Sequence, residues 1–222
     1  MRKKTIMTTK TFLNILEILQ NNIPSNSPSN ILKNSFERNP YTILMATLLS
    51  LRTKDENTAQ VCGNLFNPAI SPKELLEIPI EKLEQIVRPT GMYRKKAQVL
   101  REVSLNLIER FDSQVPNTKE ELLSLKGVGE KTANIVLNNA FDIPTIAVDT
   151  HVHRLPNLWK FIDTKSEKET FKALCKKVPK EFWNRLNFTL VSFGQTICLP
   201  RNPNCEQCPV QNYCDETKSK ND

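Results

Sequence analysis

One lysine stands where it could act as a nucleophile. Lys131 follows Gly127-Val128-Gly129, a glycine turn between two segments with helical patterns. Glycine is typical where the backbone turns through positive φ and approaches a neighbour closely. The first peptide N–H groups of a helix bind anions, and the positive end of the helix dipole disfavours a charged lysine. Since only a neutral amine attacks carbon, this position favours a nucleophilic lysine, although a lysine that merely contacts phosphate also fits.

A carboxylate stands at a second suitable place. Asp149 follows the apolar segment Ile146-Ala147-Val148 and precedes a helical segment that begins at Thr150. An N-cap position helps to keep a carboxylate ionised. Such a carboxylate could stabilise positive charge on a sugar ring under attack by an amine. An aspartate that only caps its helix is the plain alternative.

Four of the six cysteines could hold a metal centre. They are separated by six, two and five residues, and they are Cys198, Cys205, Cys208 and Cys214. Thiolates this close in sequence suit a tetrahedral metal ion or an iron–sulfur cluster. Zinc sites usually contain two C-x₂-C pairs, whereas only one is present here, so the spacing favours iron–sulfur. Cys62 and Cys175 stand alone in helical patterns and are expected to be buried thiols.

Helical patterns cover most of the chain, and no strand-like alternation is long enough to compete with them. The apolar spacing predicts an N-terminal helix around 12–19, a buried helix at 41–51, an amphipathic helix at 92–111 and a last long helix from Pro179 to about Ile197. Residues 21–35 are rich in Asn, Ser and Pro and predict a loop. The sequence therefore predicts a compact all-α protein.

Local signals refine this outline. Three capping boxes are predicted to begin helices: Thr53 with Glu56, Ser71 with Glu74, and Ser166 with Glu169. Residues 93–96 (Tyr-Arg-Lys-Lys) fit either a phosphate-contacting stripe or a solvated helix start. Three aromatic residues are expected in the core: Trp159, Phe182 and Trp183.

Composition narrows the classes of protein. The 222 residues carry 31 Lys and Arg against 24 Asp and Glu, a net charge of +7 that attracts polyanions such as nucleic acid. No apolar segment approaches the roughly 18 residues of a membrane span. No secretory signal is recognised, which makes a disulfide framework the weaker explanation of the cysteines. A cytoplasmic, nucleoid-associated protein is expected.

Five segments together resemble a known family. They are L-L-S-L-R-T-K-D at 48–55, G-M-Y-R-K-K-A at 91–97, the glycine hairpin at 125–137, V-D-T-H at 148–151, and the C-x₆-C-x₂-C-x₅-C array. In this order they are similar to the endonuclease III family of DNA-repair glycosylases, within the helix-hairpin-helix superfamily. The resemblance extends from about residue 13 to residue 214.

The resemblance implies two helical domains flanking a DNA-binding cleft. A six-helix barrel with the helix-hairpin-helix motif would comprise residues 32–143. The second domain would comprise residues 1–31 and 144–222 and hold a [4Fe–4S] cluster on the four clustered cysteines. The partner would be double-stranded DNA with damaged pyrimidines or abasic sites, bound by a monomer with the damaged base rotated out of the helix.

The resemblance also implies a reaction. Lys131 would attack C1′ of the sugar, expel an oxidised pyrimidine and form a Schiff base, after which β-elimination cuts the strand 3′ to the lesion. Asp149 would stabilise the developing positive charge and assist proton transfer. The hairpin would contact the phosphate backbone through Gly127, Val128, Gly129 and Thr132.

The chain departs from the familiar bacterial pattern at several DNA-contacting positions. Arg52 stands where many members carry glutamine, at the residue thought to fill the gap left by the rotated base, and arginine can bond the orphaned partner base bidentately. Met92 replaces a leucine at the neighbouring intercalating position. Lys126 and Glu130 replace the hairpin's common proline and arginine. Arg201 is the only cation between the first two clustered cysteines.

Three other functions remain open. A mismatch glycosylase of the adenine-removing branch keeps the cysteine array but lacks the hairpin lysine, so Lys131 disfavours it. A non-catalytic DNA-binding module would use the hairpin only to hold phosphate. An electron-transfer protein would use the cluster without need of the lysine. His151 and His153 lie two residues apart, which places them on different faces of a helix, and they are assigned no chemistry.

Overall fold

The computed structural model describes residues 7–214, and within them it contains helices and no strand. In chain order the α-helices are α1 (Thr9–Asn21), α2 (Pro28–Asn34), α3 (Pro40–Ser50), α4 (Asp55–Leu65), α5 (Pro72–Glu77), α6 (Ile80–Val87), α7 (Tyr93–Phe111), α8 (Lys119–Leu123), α9 (Glu130–Phe141), α10 (Thr150–Leu158), α11 (Glu167–Lys177) and α12 (Trp183–Thr196). Short 3₁₀ helices lie at Arg88–Thr90, Lys180–Phe182 and Gln211–Tyr213. The all-α prediction is confirmed.

The chain divides into two compact units, and the first is continuous in sequence. It comprises residues 28–145, whereas 32–143 was expected. It contains eight α-helices, α2 to α9, and two of them, α5 and α8, have only five or six residues.

Helix α3 is the central helix of this unit. Asn39 caps it reciprocally with Thr42, and Pro40 occupies its first turn. Nine of its residues are buried, from Tyr41 to Leu49, so the prediction of a buried helix is confirmed. It packs against α9, the helix that carries Lys131. A helix that is apolar on nearly every side is stable only inside a core, which makes α3 a firm support for its neighbours.

Helix α7 is the long amphipathic helix that the sequence predicts. Ala97, Leu100, Val103 and Leu107 are at most 1% exposed, and their spacing of three and four residues puts them on one face. Phe111, the last residue of the predicted face, is only half-buried. The buried face packs against α5 and α6.

The second unit combines two separate segments of the described chain, residues 7–27 and 146–214. Phe12 of α1 stacks on Phe161 with ring centroids 4.0 Å apart. Nδ2 of Asn14 donates a hydrogen bond of 3.0 Å to the hydroxyl of Tyr213, close to the last clustered cysteine. The N-terminal helix is therefore part of the unit that contains the cysteine array.

Several local predictions are wrong. Residues 21–35 are not all loop, because Pro28–Asn34 form α2. Thr53 does not cap α4, which begins after Lys54 without a side-chain cap. The last long helix begins at Trp183 rather than at Pro179, because Pro179 precedes a separate 3₁₀ turn.

The remaining local predictions are confirmed in whole or in part. Ser71 and Glu74 form the predicted capping box, whereas Ser166 accepts from the Glu169 N–H without the reciprocal bond, since Oε2 of Glu169 accepts from the N–H of Lys165. Three residues expected to be buried or in the core are only half-buried: Cys175, Phe182 and Trp183. No helix in the described part of the chain is long and apolar enough to cross a membrane.

Candidate DNA-repair site and iron–sulfur centre

The glycine turn links α8 to α9 as a tight hairpin. The N–H of Val128 donates to the carbonyl of Leu125 at 3.1 Å, which closes the turn. Gly127 has φ +83°, and a Cβ atom there would lie 2.9 Å from Cγ1 of Val99 on α7. Gly129 has φ −99° and open space where a Cβ would lie. The need for glycine expected at both positions therefore applies only to Gly127.

Lys131 lies in the first turn of α9 with an exposed side chain. Gly129 is the N-cap residue, and no side chain caps this helix end. Val128 is 7% exposed and Thr132 is 2% exposed, so these two predicted contacts could reach DNA only through backbone atoms. An uncapped helix start with outward peptide N–H groups is suited to a phosphate group.

Two ion pairs modify the charge around this helix start. Nζ of Lys126 lies 2.8 Å from Oε1 of Glu102, and Glu130 pairs with Lys119. Both pairs are exposed enough for solvent to screen them. Each of the two unusual charges of the hairpin therefore has a neighbour of opposite sign, but these screened pairs offset little of either charge.

The two predicted intercalating residues share an uncommon backbone conformation. Arg52 has φ +54° and Met92 has φ +45°, both in the left-handed region, and both side chains are exposed. Met92 is 53% exposed, the highest value among the exposed large hydrophobic residues of the described chain. A left-handed conformation costs a non-glycine residue about 1–2 kcal/mol, which surrounding contacts must offset.

Asp149 belongs to the unit formed by the chain ends. It is the N-cap residue of α10, and its Oδ1 accepts a hydrogen bond of 2.8 Å from the N–H of Val152. The preceding residues 146–148 are buried, and Nδ2 of Asn187 holds the carbonyl of Ala147 at 2.8 Å. The predicted cap is confirmed. The second oxygen of this half-buried carboxylate has no role in the cap.

The histidines that follow Asp149 have structural surroundings. A Cβ atom on Gly194 would lie 2.2 Å from Nδ1 of His151, so this imidazole fills the space beside the α12 glycine. Nδ1 of His153 lies 2.7 Å from Oγ1 of Thr170, which in turn lies 2.6 Å from Oγ1 of Thr164. Both side chains pack α10 against its neighbours, as expected for residues without assigned chemistry.

The four clustered cysteines line one pocket. The cavity has a volume of about 30 Å³, and its walls also include Trp159, Phe193 and Ile197. In the described part of the chain, no three His, Cys, Asp or Glu side chains converge as ligands of a single metal ion. Four cysteines that line one apolar pocket without converging on a single-ion position fit a cubane cluster better than zinc.

The surroundings of the Cys208 thiol also favour a bound metal centre. Burial raises the pKa of the Cys208 thiol above its ordinary value, and charge on the other three clustered cysteines raises it further. Four thiolates gathered in an apolar pocket repel one another unless a bound cation offsets their charge. Arg154 on α10 donates to the sulfur of Cys198 at 3.5 Å and also to its carbonyl. Arg201 is exposed in the loop between the first two clustered cysteines.

Two family models match this chain. The HhH-GPD superfamily of base excision DNA repair proteins matches residues 45–180, and the iron–sulfur binding domain of endonuclease III matches residues 198–214. Endonuclease III of Thermotoga maritima is 44% identical over 82% of this chain and 86% of its own length. The chain belongs to the endonuclease III family. Endonuclease III of Escherichia coli K12 is 35% identical over 93% of this chain and 97% of its own length.

Solved structures agree with that assignment. A non-covalent endonuclease III–DNA complex superposes with a TM-score of 0.84 at 33% identity, covering 97% of this chain and 99% of the solved one. A trapped covalent endonuclease III–DNA intermediate gives a TM-score of 0.83 at 33% identity, covering 98% and 100%. As a member of the endonuclease III family, the chain is a base excision repair DNA glycosylase with AP lyase activity, and its cofactor is a [4Fe–4S] cluster.

Sequence reasoning missed two cations with buried contacts. Lys96, placed in a phosphate-contacting or solvated segment, is only 8% exposed, and Nζ is surrounded by three oxygen atoms. Arg154 was assigned no role, although it bonds Cys198. Neither could be found from spacing, because their partners include backbone carbonyls distant in sequence. One signal did exist for Lys96, which lies one residue before the buried Ala97 at the edge of the apolar face of α7.

Proposed function

We propose that this enzyme removes oxidised pyrimidines from double-stranded DNA as a monomer, with Lys131 as its nucleophile. The observation that carries the proposal is the place of Lys131: an exposed amine in the first turn of an uncapped helix, directly after the glycine hairpin. The backbone there can bind a phosphate of the damaged strand while the amine stays free to reach the sugar. The trapped covalent complex of a relative supports this chemistry.

The reaction first releases the base and then cuts the DNA strand. Nζ of Lys131, as a free amine, bonds to C1′, and the C1′–N bond to the base breaks, so that the base leaves with the electron pair and takes up a proton. The sugar ring opens, O4′ gains a proton, and an iminium joins C1′ to the lysine. Loss of a C2′ proton then forms a C2′=C3′ double bond and expels the 3′ phosphate. Water hydrolyses the imine and restores the amine.

Asp149 stabilises the positive charge that develops on the sugar. One of its oxygens accepts from the N–H of Val152, which fixes the carboxylate at the start of α10, where the helix dipole favours its ionised form. The other oxygen is available to the sugar and to a proton in transit. The cap and the chemistry therefore use different atoms of one side chain.

Binding of damaged DNA divides between two kinds of contact. The backbone of the hairpin, from Gly127 to the first turn of α9, holds phosphate without reading bases. Arg52 and Met92 enter the duplex, the first to bond the base left without a partner and the second as an apolar wedge. Arg201 adds a phosphate contact beside the cluster. The four clustered cysteines bind the [4Fe–4S] cluster, which stabilises a segment too short to fold alone.

Borohydride trapping on duplex DNA containing thymine glycol tests this function. The unsubstituted enzyme should give a covalent adduct, and Lys131→Ala should give none. Lys126→Ala removes an exposed amine from the same hairpin and should still form the adduct. If the Lys131→Ala adduct persists, or if the only substrate processed is adenine opposite an oxidised guanine, the proposal is wrong. Sedimentation of the enzyme with and without DNA tests the monomer.

A further inference from the structure

The ammonium group of Lys96 joins two loops that are distant in sequence. Nζ donates to the carbonyl of Leu49 at 2.6 Å, to Oγ1 of Thr53 at 2.5 Å and to the carbonyl of Thr90 at 2.9 Å. An ammonium group has three protons, and here each has an oxygen acceptor. Burial lowers the pKa of Lys96 to about 8, so the group is mostly charged at neutral pH.

A threonine hydroxyl completes the same network. Oγ1 of Thr53 accepts from Lys96 and donates to the carbonyl of Thr90 at 2.6 Å. Thr53 directly follows Arg52, and Thr90 lies two residues before Met92. The network therefore bridges the two loops within two residues of the exposed Arg52 and Met92.

These loops need such a support. Arg52 and Met92 both have positive φ, a conformation that is unfavourable for residues other than glycine, and one of them lies in each of the two loops. The backbone hydrogen bonds within these loops are 3.1 to 3.4 Å long: Leu51 N–H to Leu48 at 3.4 Å, Thr53 N–H to Ser50 at 3.1 Å and Gly91 N–H to Arg88 at 3.2 Å. A strained conformation persists only where the surrounding structure over-determines it, and here the bonds of Lys96, of 2.5 to 2.9 Å, are joined by the 2.6 Å bond from Thr53 to Thr90.

The same two helices also support the catalytic hairpin. At Gly127, a Cβ atom would meet Val99 of α7 at 2.9 Å and Leu48 of α3 at 4.0 Å. Lys96 lies one turn before Val99 on α7, and its acceptor Leu49 follows Leu48 on α3. The hydrogen bonds of Lys96 therefore connect the two intercalating loops to α3 and α7, the same two helices that lie beside Gly127 of the hairpin.

We propose that Lys96 is a positioning residue, an internal ammonium bridge that sets Arg52 and Met92 at the spacing needed to enter damaged duplex DNA. This inference rests on the proposed roles of Arg52 and Met92 in DNA binding. It predicts that the bridge is needed for opening a duplex but not for the chemistry of an abasic sugar that is already accessible. A residue required only for folding would affect both equally.

The test compares duplex and single-stranded substrates in Lys96→Met, which keeps an unbranched side chain and removes all three donors. We expect Lys96→Met to bind abasic duplex DNA with an at least tenfold higher Kd. The fluorescence of 2-aminopurine placed opposite the lesion should no longer rise on binding. Borohydride trapping on single-stranded abasic DNA should stay within about threefold of the unsubstituted enzyme. Lys82→Met, which removes an exposed charge from α6, should change neither.

Two further variants keep the outcome decisive. Thr53→Val preserves volume but removes the hydroxyl, so it should shift duplex affinity and 2-aminopurine fluorescence in the same direction even if Lys96→Met fails to fold. Unchanged duplex readouts in both variants, or equal loss on duplex and single strand in Thr53→Val, would overturn the role of Lys96. If Arg52→Ala with Met92→Ala leaves duplex binding and fluorescence unchanged, the proposed DNA role of those residues fails instead.

Discussion

Gly127 and Val99 lie so close that a Cβ atom on residue 127 would be 2.9 Å from Cγ1 of Val99. This proximity joins the hairpin to α7, and Gly127 also has φ +83°. Two independent reasons therefore exclude a side chain at this position. The neighbouring Gly129 has neither reason, which makes it a matched control.

Gly127→Ala should destabilise the unit by about 1–3 kcal/mol, because it adds backbone strain and a steric conflict with Val99. DNA affinity should fall together with stability. Gly129→Ala should change the free energy of unfolding by less than about 1 kcal/mol. Thermal unfolding and Kd measurements on both variants check this. When Val99→Ala is added to Gly127→Ala, only the steric part of the lost free energy of unfolding should be recovered. Full recovery would show that the positive φ costs nothing.

Asp149→Asn should separate the helix cap from the chemistry. Asparagine is as good an N-cap as aspartate, so stability should change by less than about 0.5 kcal/mol. The single-turnover rate should fall by about 10²-fold or more because the carboxylate charge is gone. Asp149→Ala should lose the same activity and in addition about 1 kcal/mol of stability. A single-turnover rate for Asp149→Asn equal to that of the unsubstituted enzyme would reduce this residue to a cap.

Glu130→Ala should make the enzyme bind DNA more tightly while slightly lowering its stability. The carboxylate favours the start of α9 by about 0.3–1 kcal/mol but repels a phosphate bound there. Its ion pair with Lys119 is exposed and offsets little of this repulsion. Salt titration of Kd should show a steeper slope than in the unsubstituted enzyme. Glu77→Ala, which removes an exposed carboxylate from α5, is the control and should leave the slope unchanged.

Cys198→Ala should lose iron, whereas Cys62→Ala should keep it. Cys62 is completely buried in the continuous unit, and burial raises its pKa to about 12, so it stays a neutral thiol. Iron content and visible absorbance distinguish the two variants. The Cys62 cavity should cost about 1–3 kcal/mol in the unit that contains the hairpin, without changing absorbance. Full iron content in Cys198→Ala would remove this residue from the ligand set.

Gly194→Ala should lower the stability of the second unit, which contains the cysteine array, because the added methyl group meets His151. A methyl group there would lie 2.2 Å from Nδ1 of the imidazole, and such overpacking should cost about 1–3 kcal/mol. Adding His151→Ala should restore much of the loss, since the conflict is with the imidazole itself. Thermal unfolding of the single and double variants measures the coupling. Additive losses would show that the two residues do not interact.

Much of the fold could be predicted because its strongest elements carry apolar periodicity. Helix α7 begins within one residue of the predicted start, and α3 is buried as expected. Helix α2 was missed for the opposite reason. None of its seven residues is buried, so it leaves no apolar pattern in the sequence.

Candidate site residues were predictable where chemistry depends on residue type and local spacing. Asp149 as an N-cap and the cysteine array are cases of this kind, and the former is confirmed by its bond to Val152. Lys96 illustrates the limit. Its acceptors at Leu49 and Thr90 are backbone carbonyls, which any residue supplies, so no sequence pattern indicates them.

The hydrogen bond between Asn14 and Tyr213 has a consequence for biosynthesis. Residues 7–27 leave the ribosome before the rest of the described chain, yet the helix partners of α1 in its own unit come from residues 146–214. The whole intervening unit must be translated before they emerge, which takes on the order of ten seconds. During that time the apolar face of α1 cannot pack against its partners in the nascent chain, whereas residues 28–145 can fold as they emerge.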